Sequence, residues 1–212
     1  MAALSGGTGD FASYIGFLNL ELYSIFFVLI LGIVIAFIAA SIISKEIESK
    51  SIDILLSNPI SRKQVIIERF LGLIPMVLII NFFTMVVVYG ITIVINESLD
   101  FVNLFITHLY AMPYFFSVIG IAILVSTLID EKMKSIIIMI ALLVGMFFLE
   151  YIANITPDTK NIGLVSLTHY YKPYNALKFG NVDWNGVIVL FTVTIISLVI
   201  AVIYFDKKDI KV

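Results

Sequence analysis

The sequence predicts an all-α membrane protein, a polytopic bundle of five transmembrane helices, and three observations predict it. Hydrophobic residues make up 61% of the 212, and charged residues only 13%, where a soluble domain carries about a quarter. Mean hydropathy is +1.10. Five runs are almost free of ionised side chains, and each reaches the ~20 residues that cross ~30 Å of hydrocarbon as a helix. Strands would need period-two alternation around a closed barrel, which continuous apolar runs lack.

The runs, in order, are 22–43, 71–95, 104–129, 135–155 and 184–205, all within one transmembrane domain, 1–212. The first, second and fifth hold no ionised side chain, the third only His108 and the fourth only Glu150. Residues 1–21 are small and polar, then mildly amphipathic, and are expected along the outer interface. They carry no basic n-region, so they are not a cleavable signal peptide. Asn96–Asp100 and Asp130–Lys134 are short enough to be tight turns. The loop 156–183 is the one sizeable segment on its side. Its stretch SLTHYYKPYNALKF predicts a short interfacial helix or turn, with Tyr170, Tyr171 and Tyr174 as an aromatic belt.

Basic residues set the expected orientation. Ten of them (Lys45, Lys50, Arg62, Lys63, Arg69, Lys132, Lys134, Lys207, Lys208 and Lys211) fall on one side, against Lys160, Lys172 and Lys178 on the other. The positive-inside rule then puts the N-terminus outside and the C-terminus in the cytosol. The net charge of −2 sums two faces separated by a membrane and says nothing about partners. No Cys occurs, which excludes disulfides and thiolate metal sites.

The segment 44–69 is the only charged, helix-patterned insertion. Ser44–Ser57 contains neither Gly nor Pro, so helix is expected to continue out of the first span, with Glu46 and Lys50 as a favourable i,i+4 pair. Ile52, Leu55 and Leu56 share a face. Pro59 ends that helix and biases Asn58 away from helical angles. Ser61 and Gln64 fit the N-cap and N3 positions of a capping box, starting a helix that runs into the second span. Physics alone leaves two readings level: an amphipathic segment on the anionic inner leaflet, with Arg62, Lys63 and Arg69 on phosphates, or a lever for a soluble protein.

The run KEIESKSIDILLSNPISRKQVIIERF resembles the loop between the second and third membrane helices of ATP-binding-cassette (ABC) permeases of the type-2 exporter family. Glu46, Ser51, Ile52, Leu55, Leu56, Ser57, Pro59, Ser61 and Arg62 fit that pattern. The closing HYYKPYNALKFGNVDW, a final span and FDKKDI are similar too, and the likeness covers residues 22–212. It implies a permease subunit of an ATP-driven transporter, an exporter by likeness, with Ser44–Ser57 as the segment seated in a separate ABC nucleotide-binding ATPase subunit. It implies a second permease copy, as homo- or heterodimer, and a transported substrate that the sequence does not name. Such permeases have six spans, so the resemblance implies that the first helix is missing here, with 1–21 corresponding to the first outer loop.

This chain itself is expected to be non-catalytic and to bind no cofactor, ATP and Mg belonging to the partner. No Gly-x4-Gly-Lys-Ser/Thr occurs, and GGTG at Gly6–Gly9 lacks the Lys and a preceding strand. No HExxH or Gly-x-Ser-x-Gly occurs either. The basic residues are too few and too mixed with acids for nucleic acid. Among polar groups in the spans, Glu21, His108 and Glu150 sit at one level and could form an outer cluster holding a cation or relaying a proton, or could each snorkel to headgroups. Asn81 and Thr84 are expected to bond across to a neighbouring helix. Gly32, Ala36 and Ala40 form a small-residue stripe, either a homodimer seam or an intrachain contact. Pro75 and Pro113 are expected to bend the second and third spans. The alternative class is a non-transporting membrane anchor or sensor component.

Overall fold

The computed structural model describes residues 13–52, 61–155 and 157–208. Most of these residues are helical, and none of them forms a strand. Five helices are long and apolar enough to cross a membrane: α1 (Tyr14–Glu48), α2 (Arg62–Val94), α3 (Phe101–Leu128), α4 (Lys132–Ala153) and, after the short helix α5 (Pro173–Phe179), α6 (Trp184–Lys207). Two 3-10 turns, Pro157–Val165 and Leu167–Tyr170, connect α4 to α5.

The first helix starts earlier than its apolar run. Ser13 caps it, its hydroxyl accepting from Gly16 N at 3.1 Å, so 14–21 belong to the spanning helix rather than lying along the interface. Leu18–Leu31 winds as a π-helix, and Gly32 N reaches back to Phe27 O at its end. This wider winding carries buried Tyr23 and Phe27, four residues apart, onto the edge of the His108 ring, at 5.5 and 5.4 Å between centroids. α2 begins as expected, with Ser61 accepting from Gln64 N at 3.2 Å. The Gln64 side chain does not complete the box; it donates to Glu68 at 2.7 Å. Pro75 and Pro113 both lie inside uninterrupted helices, as intramembrane prolines can when neighbouring helices and side chains satisfy the freed backbone.

α3 is the centre of the bundle. In its most apolar window 78% of the residues are buried, against 22–44% in the other four spans. Its longest contact is with α6, and small residues allow it: a Cβ on Gly120 would stand 3.2 Å from Thr194 O and 3.3 Å from Thr194 Cα. The stripe on α1 is also internal. Gly32 faces the Tyr114 hydroxyl, and Ala36, Ala39 and Ala40 are fully buried. Ser126 Oγ of α3 accepts from the amides of Ile43 and Ser44 at 3.0 and 2.9 Å, and Ser135 Oγ of α4 donates to Ala40 O at 2.7 Å. The seam that the sequence left open between dimer and intrachain contact is thus filled by α3 and α4. Each interhelical bond of this kind is worth roughly 0.6 kcal/mol in a membrane, so their number matters more than any one.

The segment after α4 folds back over the bundle. Ser166 Oγ donates to Met146 O at 2.7 Å, and Tyr110 Oη donates to Tyr170 O at 2.9 Å. α5 carries Pro173 at its first turn and ends on Gly180, φ +70, with Asn181 N returning to Asn175 O at 3.2 Å. That left-handed stop needs glycine, so the expected short helix is present. The aromatic belt is not, at Tyr171. That residue is 4% exposed, its ring stacked on Tyr114 at 5.5 Å and tilted against Tyr110 at 5.3 Å. Burial pushes its hydroxyl well above the usual tyrosine range, followed by the nearby Tyr23, Tyr110 and Tyr114, so it stays neutral.

Candidate functional site: the charged end of the bundle

One end of the bundle gathers the C-terminal ends of α1, α3 and α6 and the N-terminal ends of α2 and α4. Helix termini leave unpaired amides and carbonyls and carry opposite partial charges. Here three charged side chains, Arg62, Lys208 and Glu48, meet those of other helices. Arg62 at the start of α2 donates to the last carbonyls of α6: Phe205 O at 3.0 Å, Lys208 O at 2.6 Å and Asp206 O at 3.4 Å. Its guanidinium also lies 5.9 Å from the Phe205 ring centre. Lys208, just past α6, donates to Thr127 O in the last turn of α3 and pairs with Asp130. Glu48, at the end of α1, accepts from Lys132 N at 2.8 Å, the first amide of α4. Both cations sit on C-termini and the Glu48 carboxylate on an N-terminus, as the dipoles favour.

The fourth tie joins α1 to α2 directly. Arg69 Nη2 lies 2.6 Å from Glu46 Oε1. A fork-on-fork pair would also use the second carboxylate oxygen. Here Glu46 Oε2 and Arg69 Nε are buried with no hydrogen-bond partner, so the pair is half made. Both charges that the sequence pattern offered to a soluble partner, Glu46 and Arg62, are therefore engaged within the chain.

The expected helix 44–57 is interrupted. α1 ends at Glu48, with Ser49 N returning to Lys45 O and Lys50 N to Ile47 O at 3.0 Å each, and Lys50 takes φ +56 before helix resumes at Ser51. The cause is the pair of serines. Ser49 Oγ and Ser51 Oγ bond each other at 2.9 Å, one hydroxyl donating to the other, which is left to donate to Glu46 O, a local alternative to the helical ladder. The turned Lys50 consequently does not form the expected pair with Glu46, whose partner is Arg69. Ile52 is fully buried. Leu55, Leu56, Ser57 and Pro59 lie outside the described residues.

The proposed outer cluster does not assemble. No group of three His, Asp or Glu side chains among the described residues could hold a metal ion. Glu21 is exposed. Glu150 instead meets His169, Oε2 to Nδ1 at 2.9 Å, and accepts from Asn154 Nδ2 at 2.9 Å. His108 is fully buried between α1 and α2: Tyr23 Oη lies 3.0 Å from Nε2, and Asn81 Oδ1 3.0 Å from Nδ1. Asn81 Nδ2 also donates to His108 O at 3.1 Å. That second bond fixes the amide, so Oδ1 must accept, His108 Nδ1 carries the proton, and Nε2 accepts from the Tyr23 hydroxyl. The imidazole is a neutral tie across three helices, not a cation ligand. Asn81 thus bonds across as expected, whereas Thr84 donates to Ile80 O of its own helix.

Sequence reading missed Glu48, Arg69, His169 and Lys208 as partners. Only Lys208 had a legible signal, as a cation just beyond a helix end.

A five-helix bundle with its cations gathered at one end defines a polytopic integral membrane protein. The chain belongs to the ABC-2 family transporter proteins, whose family model matches residues 5–210. It is accordingly a membrane permease component of an ABC transporter. No curated protein and no solved structure matches it.

Proposed function

We propose that the chain is the membrane-spanning half of an ATP-driven exporter, its charged end facing the cytosol, with 44–62 receiving the stroke of a separate ABC nucleotide-binding subunit that carries ATP and Mg. Two copies of the permease, or this chain and a homologue, enclose the path. Family membership over residues 5–210 is the observation that carries the reading. Two features support it further. The basic residues concentrate at the end where 44–62 joins α1 to α2. The same end is linked by charge-to-terminus bonds that join α2, α6 and α3 and, separately, α1 and α4, and the Glu46–Arg69 pair connects the two sets, so a displacement there reaches the whole bundle.

The test is co-purification. The tagged chain, expressed with the ATP-binding subunit from its gene neighbourhood, is expected to bring down that subunit in mild detergent with Mg-dependent ATP hydrolysis. Recovery of the intact chain with no ATPase bound would remove the reading.

A further inference from the structure

The geometry points to Arg62 as a positioning residue that binds the start of α2 to the end of α6, and through Lys208 to α3, so that the three helices move as one body. This rests on the reading that 44–62 receives the stroke. Without the link, a push there would be absorbed at the α1–α2 junction, whose own tie, Glu46 to Arg69, is only half made.

Three observations carry it. Arg62 is the first residue after Ser61, which caps α2, so its backbone is fixed at the mouth of the 44–62 segment. One terminal nitrogen of its guanidinium, Nη1, lies within hydrogen-bond reach of three carbonyls at one helix terminus, so a single cation holds the end of α6. One residue past α6, Lys208 passes the connection to Thr127 O and Asp130 at the end of α3, and its side chain is only 9% exposed. The relay therefore runs from α2 through the α6 terminus to α3. α6 and α3 are in turn locked by the Gly120–Thr194 approach, so the far end of α6 must follow.

That far end carries its own reporter. Trp184, the chain's single tryptophan, opens α6 and is 70% exposed. The experiment uses the complex with its ATP-binding subunit in lipid nanodiscs. It measures the ATP- and vanadate-dependent change in fluorescence that is lost in Trp184→Phe. Arg62→Gln is expected to keep ATP hydrolysis while this difference signal falls at least about fivefold, the lower end of ordinary coupling between sites. Arg62→Lys, which keeps a cation able to donate to these carbonyls, should restore part of it. Amide exchange in the last turn of α6 should rise about tenfold in Arg62→Gln, from loss of charge-assisted bonds. An undiminished signal in Arg62→Gln would overturn the proposal. If that variant fails to assemble, Lys208→Gln cuts the next link: a diminished signal with hydrolysis retained supports the relay, and an undiminished one overturns it. Absence of any ATPase on the wild-type chain would instead count against the proposed function itself.

Discussion

Gly186→Ala is expected to be the most damaging small substitution in this bundle. A Cβ at Gly186 would stand 2.2 Å from Tyr170 O and 3.2 Å from Tyr170 C, with the Tyr110 hydroxyl at 3.4 Å. Carbon and oxygen cannot approach so closely, and the obstacle is backbone. Tyr170 is held by its own turn and by the bond from Tyr110 Oη to its carbonyl, at 2.9 Å. The first turn of α6 is equally fixed, by Asp183 Oδ1 accepting from Asn185 N and Gly186 N. Overpacking of a well-filled site costs about 1–3 kcal/mol, and losing the Tyr110 bond adds about 1 kcal/mol. The sum, roughly 2–4 kcal/mol, corresponds to a fall of about 5–15 °C in Tm for a chain of this size. Gly120→Ala, where the contacts are 3.2–3.3 Å, should fall by less. Gly145→Ala has nothing within 4 Å and should be neutral or slightly stabilising, since alanine favours helix by up to ~1 kcal/mol. Thermal unfolding of the three variants in one detergent, followed by helical ellipticity, gives the ranking. Equal Tm values for Gly186→Ala and Gly145→Ala would refute the close approach on which the packing of α6 under the 167–170 turn depends.

Asn81→Leu should destabilise more than Tyr23→Phe, because it removes two bonds to His108 where the tyrosine change removes one. At roughly 0.6 kcal/mol per interhelical bond the losses are about 1.2 and 0.6 kcal/mol, measurable as unfolding midpoints, and a reversed order would contradict the tautomer assigned to His108. For orientation, single cysteines placed at Lys63 and Lys160 should differ toward a membrane-impermeant maleimide on intact cells: labelling at 160, none at 63. The opposite pattern would invert the proposed topology and detach 44–62 from the cytosol.

The sequence determined by itself what depends on local composition. The five runs could only be helices, because unpaired backbone has no partner in hydrocarbon, and each appears as a spanning helix. The Ser61 cap, a short helix or turn in the 166–179 stretch, and the cross-helix bond of Asn81 were legible in the same way, since each needs only neighbours in the chain or a polar group with no water. The cluster of Glu21, His108 and Glu150 looked reasonable from depth alone. It fails because depth fixes height in a membrane and not the direction around a helix, which the π-wound turns of α1 and the fold-back of 157–170 decide. The stripe of Gly32, Ala36 and Ala40 announced a close contact but not with what; α3 and α4 occupy it. Arg62 shows the limit most plainly. Its place before an apolar helix was readable as a free charge near a membrane, yet its partners, the carbonyls of Phe205 and Lys208, lie over 140 residues away. A helix end becomes a charged site only when the fold brings another helix's side chain to it, and no local pattern encodes that meeting.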